Sequence, residues 1–314
     1  MSRPLILDVD GTLIKSDLTH EMILAAILRD PWRALRYLRL GLTDKPQMKQ
    51  EMVARIGDRL AVDVVPLESE IIGLAQEAVA SGRNVHLCSG SEQSLVDRLG
   101  ERLDFVSETY GTSPTYNMTS GNKAAFLEDR FPNGFDYAGN STQDYAVWEA
   151  AQLGYGVRPP SDTEHTRTAA DLPVEILVDR PTLSEKLPAA LWGFEIWTVP
   201  AILVPVLIVC VLIGMQGLDM LALSLGIAAL LLAGNVECML RNVQDDRRRG
   251  GLRLRDNPVA SGDLSVPLAL FAYLALGTAG LFLLATLTPW LAVLVVSIRV
   301  LVALFRRVPR TQSV

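Results

Sequence analysis

Two carboxylates one residue apart, Asp8 and Asp10, follow the apolar run Leu5-Ile6-Leu7 and precede Gly11-Thr12-Leu13. Side chains alternate along an extended chain, so Asp8 and Asp10 point the same way, and Gly11 lets the backbone turn behind them. Like charges that close call for a cation. A hard divalent ion such as Mg²⁺ would neutralise the pair and leave one carboxylate free to attack an electrophile, phosphorus above all. Three further stretches carry groups suited to the same chemistry. Ser89-Gly90-Ser91 offers the Ser89 hydroxyl and backbone N–H groups to a phosphoryl oxygen, or else caps a helix. Lys123, in Gly121-Asn122-Lys123-Ala124, brings an ammonium that lowers the repulsion between Asp8 and an anionic substrate, or is a solvated residue near a helix start. Gly139-Asn140-Ser141-Thr142-Gln143-Asp144 adds an amide and a carboxylate that ligate Mg²⁺ through oxygen.

These groups act together only if strands bring their ends together. Fully buried strands read as continuous apolar runs, and open α/β sheets bind ligands beyond the carboxyl ends of their strands. Leu5 to Leu7, Asn84 to Cys88 and the segment from Phe135 to Gly139 fit such strands, and Val174 to Val178 fits a last edge strand. Residues 14 to about 80 read as helices instead, with Leu18, Met22 and Ala26, then Leu35 and Leu38, then Met48, Met52 and Ile56 at helical spacing. Asp30-Pro31 and Lys45-Pro46 punctuate them. A helical insert directly after the first strand would sit over the carboxyl ends of the sheet, as a cap that excludes water or as a plain packed bundle. His86, inside a strand, reads as a core residue.

In this order the four stretches resemble the four motifs of the haloacid dehalogenase (HAD) phosphohydrolase superfamily. The resemblance implies an α/β HAD-like fold over residues 1–182, a Rossmann-type parallel sheet with a helical cap over about 14–80. It implies that Asp8 attacks phosphorus to give an aspartyl-phosphate, while Asp10 protonates the leaving oxygen and then activates water. Ser89 and Lys123 would hold the phosphoryl oxygens, and Mg²⁺ would bridge Asp8, the Asp10 carbonyl and the turn of Asn140 and Asp144. The family's fourth motif carries an aspartate where this chain has Asn140, one negative charge fewer.

The second half has a different composition. From Ile196 onward there are ten Arg, no Lys and six Asp or Glu, a net of +4, which leaves −10 for residues 1–195 of the chain's −6. An acidic first half argues against a nucleic-acid partner. Cys88, Cys210 and Cys238 are scattered and odd in number, so no disulfide framework follows. Apolar runs at about 196–214, 220–240, 266–287 and 289–305 read as four membrane spans, an all-α transmembrane domain over 196–305. Residues 183–195 read as an interfacial linker helix, with Trp192 and Trp197 as an aromatic belt, and 306–314 as a basic tail. The arginines collect in the 241–265 loop and the tail, and the N-terminus lacks a signal peptide's apolar core. The positive-inside rule then predicts an integral membrane protein whose N-terminal domain, 241–265 loop and C-terminus are all cytoplasmic.

That loop carries Arg241-Asn242-Val243-Gln244-Asp245-Asp246-Arg247 and then Asp256-Asn257-Pro258-Val259-Ala260-Ser261-Gly262-Asp263. Asn242, Asp245 and Asp246, beside arginines at a membrane interface, suit Mg²⁺ and a lipid phosphate, or else belong to a loop whose arginines only set topology. The stretch resembles the UbiA family of intramembrane prenyltransferases, in particular the branch of decaprenyl-phosphate phosphoribosyltransferase, some members of which carry an N-terminal HAD domain. Against that family, Asn242 is followed by Val243, the aspartate repeat is shortened to Asp245-Asp246, and a second half with its own acidic motif does not follow. The leading expectation is a membrane-tethered, Mg²⁺-dependent phosphohydrolase acting on a phosphorylated small molecule or a polyprenyl-linked phosphate. Transfer of a prenyl or phosphoribosyl group, with self-association completing the membrane half, is the second. A non-catalytic protein that binds lipid phosphate is the third.

Overall fold

The computed structural model describes residues 3–182 apart from Asp30, and 218–297 apart from Thr288 and Leu291, together with Val204 and Ile208. The expected span at 196–214, the linker helix at 183–195, the basic tail and most of the span at 289–305 lie outside the described residues. The chain divides into two compact units, residues 1–187 with 241–266, and residues 188–240 with 267–314.

The first unit is built on a six-stranded sheet in the order β3-β2-β1-β4-β5-β6, and every pairing in it is parallel. Its strands are β1 (Leu5–Leu7), β2 (Val85–Glu92), β3 (Val106–Thr112), β4 (Asp136–Gly139), β5 (Leu153–Val157) and β6 (Glu175–Val178). Leu5, Ile6 and Leu7 are fully buried because β1 is central, and their side chains alternate between two cores. Leu5 and Leu7 join one apolar cluster, Ile6 the other with Tyr137 and Trp148. The expected edge strand is β6. The strand expected to end at Cys88 instead runs on to Glu92, with its register against β3 shifted between Cys88 and Glu92. Ser89-Gly90-Ser91 is therefore irregular strand rather than a turn.

Between β1 and β2 the chain forms α1 (Leu18–Arg29), α2 (Pro31–Thr43), α3 (Lys45–Ile56) and α4 (Ser69–Ala80). The proline punctuation works as expected. Pro31 opens α2, and Asp44 caps α3 by accepting from the Gln47 N–H at 3.0 Å, with a proline in the first turn. The insert α1–α3 leaves and rejoins the body through one short ribbon. Lys15 N–H donates to the Pro66 carbonyl and Glu68 N–H to the Leu13 carbonyl, both at 2.9 Å, around an antiparallel Ile14–Leu67 bridge. Lys49, on α3, donates to the Gly90 carbonyl at 2.7 Å, which sets the insert against the end of β2. The remaining crossovers carry α5 (Gln93–Gly100), α6 (Ser120–Arg130) and α7 (Tyr145–Ala150).

The 241–265 segment, expected as a loop, is largely helical. Helix α8 (Leu218–Arg249) runs straight through Asn242, Asp245 and Asp246, and short helices α9 (Gly251–Asp256) and α10 (Pro258–Ser261) follow before α11 (Val266–Leu287). Asn257 caps α10, its Oδ1 accepting from the N–H groups of Val259 and Ala260 at 3.2 Å. Gly262 closes it at φ +85°, and a Cβ there would come within 2.5 Å of the Lys15 Cβ. A buried ion pair joins this segment to the insert: Arg247 lies 2.7 Å from Glu21 on α1, and each side chain is only 2% exposed. Among the described residues two helices, α8 and α11, are long and apolar enough to cross a membrane.

Candidate active site

Asp8 follows directly on β1, and its N–H extends the pairing to the Ala138 carbonyl of β4 at 2.9 Å. Its carboxylate is buried and meets Lys123 Nζ at 2.7 Å, with Thr12 Oγ1 at 3.3 Å on the other oxygen. Lys123 stands in the first turn of α6, as its position before an apolar-periodic run predicts, and it is buried rather than solvated. Its ammonium also lies 2.9 Å from the Tyr137 hydroxyl and 3.5 Å from Asp144. Burial pushes the Asp8 carboxyl up to about 7, against the pull of Lys123 and with the help of Asp144 and Asp10. Burial works against the Lys123 charge too, but Asp8 and Asp144 outweigh it and hold the group above its ordinary value.

Asp10 has a different setting. Its Oδ1 accepts from the Leu18 N–H at 2.7 Å, at the start of α1, and its Oδ2 accepts from Ser89 Oγ at 3.1 Å and Ser91 Oγ at 2.6 Å. One carboxylate thus ties the β1 loop to α1 and to the end of β2. Ser89 Oγ accepts from the Ser91 N–H at 2.9 Å, so it caps no helix; Glu92 caps α5 instead. Three donors thus engage the Asp10 carboxylate.

The turn after β4 reaches the same place. Gly11 adopts φ +76°, and a Cβ on it would stand 2.0 Å from Asn140 Nδ2, so only glycine admits both this backbone and the amide packed on it. Asp144, expected as a metal ligand beside Asn140, is directed elsewhere. Its Oδ1 faces Tyr137 and Lys123, and its Oδ2 accepts from the N–H groups of Asn140 and Ser141 and from Ser141 Oγ. Five contacts occupy its two oxygens, about all the lone-pair sites a carboxylate has. Asp144 thus joins Lys123 and Tyr137 to the turn after β4. Among the described residues no three His, Cys, Asp or Glu side chains gather as a metal cluster.

Asp8, Asp10, Ser89, Lys123, Asn140 and Asp144 therefore converge at the carboxyl end of the central strand and its two neighbours. Tyr137, Ser91 and Thr12 belong with them and were not singled out from the sequence. A signal for Tyr137 existed: it sits in a strand two residues before Gly139, and a buried tyrosine needs a partner for its hydroxyl. Arg158 was missed as well. It adopts φ +48°, ion-pairs with Glu68 at the base of the cap ribbon and donates to the Gly11 carbonyl at 3.4 Å. The second candidate group shares one helix but not one environment. Asn242 and Asp245 are exposed on α8, whereas Asp246 is buried and accepts from Asn257 Nδ2 at 2.9 Å.

No model of a known protein family matches this chain. An uncharacterized protein of Sinorhizobium fredii, y4nM, is 34% identical over 159 residues, which are 49% of this chain and 30% of that protein, so the match spans under a third of that relative's length. Among solved structures the chain is similar to a protein of unknown function from Bordetella pertussis Tohama I, with 13% identity over 58% of this chain and 100% of that one, and a TM-score of 0.45. It is also similar to a HAD family hydrolase from Salmonella enterica serovar Typhi, with 15% identity over 52% and 65% of the two chains and a TM-score of 0.39. A substrate-bound phosphoserine phosphatase shows 14% identity over 60% and 98%, with a TM-score of 0.41.

Proposed function

We propose that this chain is a membrane-tethered, Mg²⁺-dependent phosphohydrolase of the HAD type in which Asp8 is the nucleophile. The observation that carries the reading is the buried Asp8–Lys123 pair at the carboxyl end of β1, with Asp10 and two serine hydroxyls beside it. In this reading Asp8 attacks phosphorus and becomes the aspartyl-phosphate. Asp10 gives a proton to the leaving oxygen and later takes one from water. Lys123 and Ser89 receive the phosphoryl oxygens, and Tyr137 and Asp144 keep the ammonium aimed. The groups that would hold Mg²⁺ are the Asp8 carboxylate, the Asp10 carbonyl and the Asn140 side chain, all oxygen donors of the kind a hard ion takes. Burial disfavours the Asp8 charge, and a cation beside it would restore that charge. When bound, the ion supplies charge neutralisation at the phosphoryl group.

The substrate class we favour is a phosphate on a polyprenyl-linked or related molecule presented at the membrane. Support comes from α8 and α11, which would hold the site beside lipid at high effective concentration. The UbiA-like transferase reading has weaker support, because Asp246 is engaged by Asn257 and its neighbour Arg247 by Glu21. The test is turnover of p-nitrophenyl phosphate by the purified full chain with Mg²⁺. Asp8→Asn is expected to lower it by at least roughly a hundredfold and to abolish a hydroxylamine-labile phosphate on the protein. An Asp8→Asn chain with full turnover would overturn the mechanism.

A further inference from the structure

Helix α2 turns toward solvent a face that a cap closing on a soluble site has no reason to keep. Trp32, Leu35 and Leu42 are 73%, 60% and 85% exposed. Elsewhere in residues 3–182 the exposed large apolar side chains, Val79, Tyr116 and Leu172, are scattered singly. Trp32, Leu35, Arg39 and Leu42 recur at steps of three and four residues and so share one side of the helix, while Tyr37 on the opposite side is buried. Clustered apolar exposure of this kind marks a contact surface.

The charge on α2 says what the contact is. The helix carries Arg33, Arg36 and Arg39, all exposed, and no acidic residue, although residues 1–195 as a whole are net −10. Arg36 reaches Glu51 at 2.8 Å yet keeps 64% of its side chain in solvent. An apolar stripe that bears tryptophan, with Arg39 within it and Arg33 and Arg36 along one side, is suited to lie in the headgroup layer of a bilayer, rings and leucines toward the acyl chains and guanidinium groups snorkelling to phosphates. The same chain carries α8 and α11, both long and apolar enough to cross a membrane, which would keep α2 close to lipid.

We propose that α2 docks on the surface of a bilayer containing anionic lipid, with Trp32, Leu35 and Leu42 inserted and Arg33, Arg36 and Arg39 on the headgroups. The cap then binds lipid as well as covering the site. This inference rests on the membrane tether and not on the phosphohydrolase chemistry.

The experiment uses the full chain, freed of its three cysteines, one copy per lipid nanodisc, with an environment-sensitive dye on Leu42→Cys. Discs contain phosphatidylcholine alone or with phosphatidylglycerol. The expected result is a blue shift and quenching by doxyl lipids only with phosphatidylglycerol, and reversal in high salt. Dye on Leu172→Cys should stay aqueous throughout. Each arginine near an anionic surface is worth roughly fivefold, so the combined R33E, R36E and R39E chain should lose on the order of a hundredfold in docked population. An aqueous Leu42 dye in both discs overturns the proposal, as does protection that rises with protein concentration in detergent, the mark of a second copy. Retention of the chain in membranes through alkaline carbonate reports the tether separately, and the dye reads docking whatever that outcome.

Discussion

Tyr137 links the two halves of the candidate site, accepting from Lys123 and donating to Asp144, and so lets a buried ammonium and a buried carboxylate share one hydroxyl. Tyr137→Phe keeps the ring and deletes that link. Hydrogen bonds to charged groups contribute about 2 kcal/mol, so thermal unfolding of the variant should show a loss of that order, and turnover should fall with little change in KM because Lys123 loses its aim. His86 tests the opposite kind of polar burial. It packs 5.1 Å from the Phe131 ring centroid and lies 3.8 Å from Glu108; burial lowers its pKa and Glu108 opposes the shift. Because the folded value is the lower one, the unfolded chain binds the extra proton first. The stability His86 contributes is complete above its ordinary value of 6.5 and drains away as pH falls through that value toward the folded one. Denaturant unfolding across that range should show this slope in the native chain and a flatter one in His86→Phe. The residues of the four motifs were legible because their chemistry depends on short spacings after apolar runs. Tyr137 was less so, because its partner Lys123 comes from α6 and its partner Asp144 from the turn beyond β4, and no short spacing after an apolar run marks that trio.

At the level of elements, most of the sheet and the cap helices followed from apolar periodicity and proline, since local pattern and tertiary packing agree there. The segment after Leu240 is where they diverge. Arginines and aspartates at an expected membrane exit read as a solvated loop, yet α8 continues through them to Arg249. What sustains the extra turns is tertiary: Arg247 donates to the carbonyls of Ala260 and Val259 and pairs with Glu21, 226 residues away in sequence. Glu21 gave no warning either, being an acidic residue on the buried side of an otherwise apolar helix. Removing one partner of such a pair leaves a buried charge and costs about 3–5 kcal/mol, whereas replacing both by apolar residues of similar volume is near neutral. Arg247→Met should therefore lower the melting temperature of the full chain and expose residues 250–262 to protease. The double replacement of Glu21 and Arg247 by Met should restore most of both. Equal damage in the single and double variants would mean that the pair does not hold the segment in place.

For the whole molecule, the same ion pair constrains topology. A helix rises 1.5 Å per residue, so α8 from Leu218 to Leu240 spans about 34 Å, enough for the ~30 Å hydrocarbon core, before the stretch that begins with Arg241 and ends in Arg247, Arg248 and Arg249. If α8 crosses, its Arg249 end is on the side that holds Glu21, and therefore Asp8, while Leu218 is on the other. The chain would then have to cross between residues 182 and 218, the interval in which the sequence carries the apolar run at 196–214. By the positive-inside rule the Arg249 side is then the one expected to be cytoplasmic. In a cysteine-free chain, a membrane-impermeant maleimide should label Gln216→Cys in intact cells, and Arg249→Cys and Leu172→Cys only after lysis. Labelling of Gln216→Cys and Arg249→Cys both in intact cells, or of both only after lysis, would show that α8 does not span. The Asp8 site would then have no lipid-facing neighbour fixed to it, and a soluble phosphate ester would replace the polyprenyl-linked one as its expected substrate.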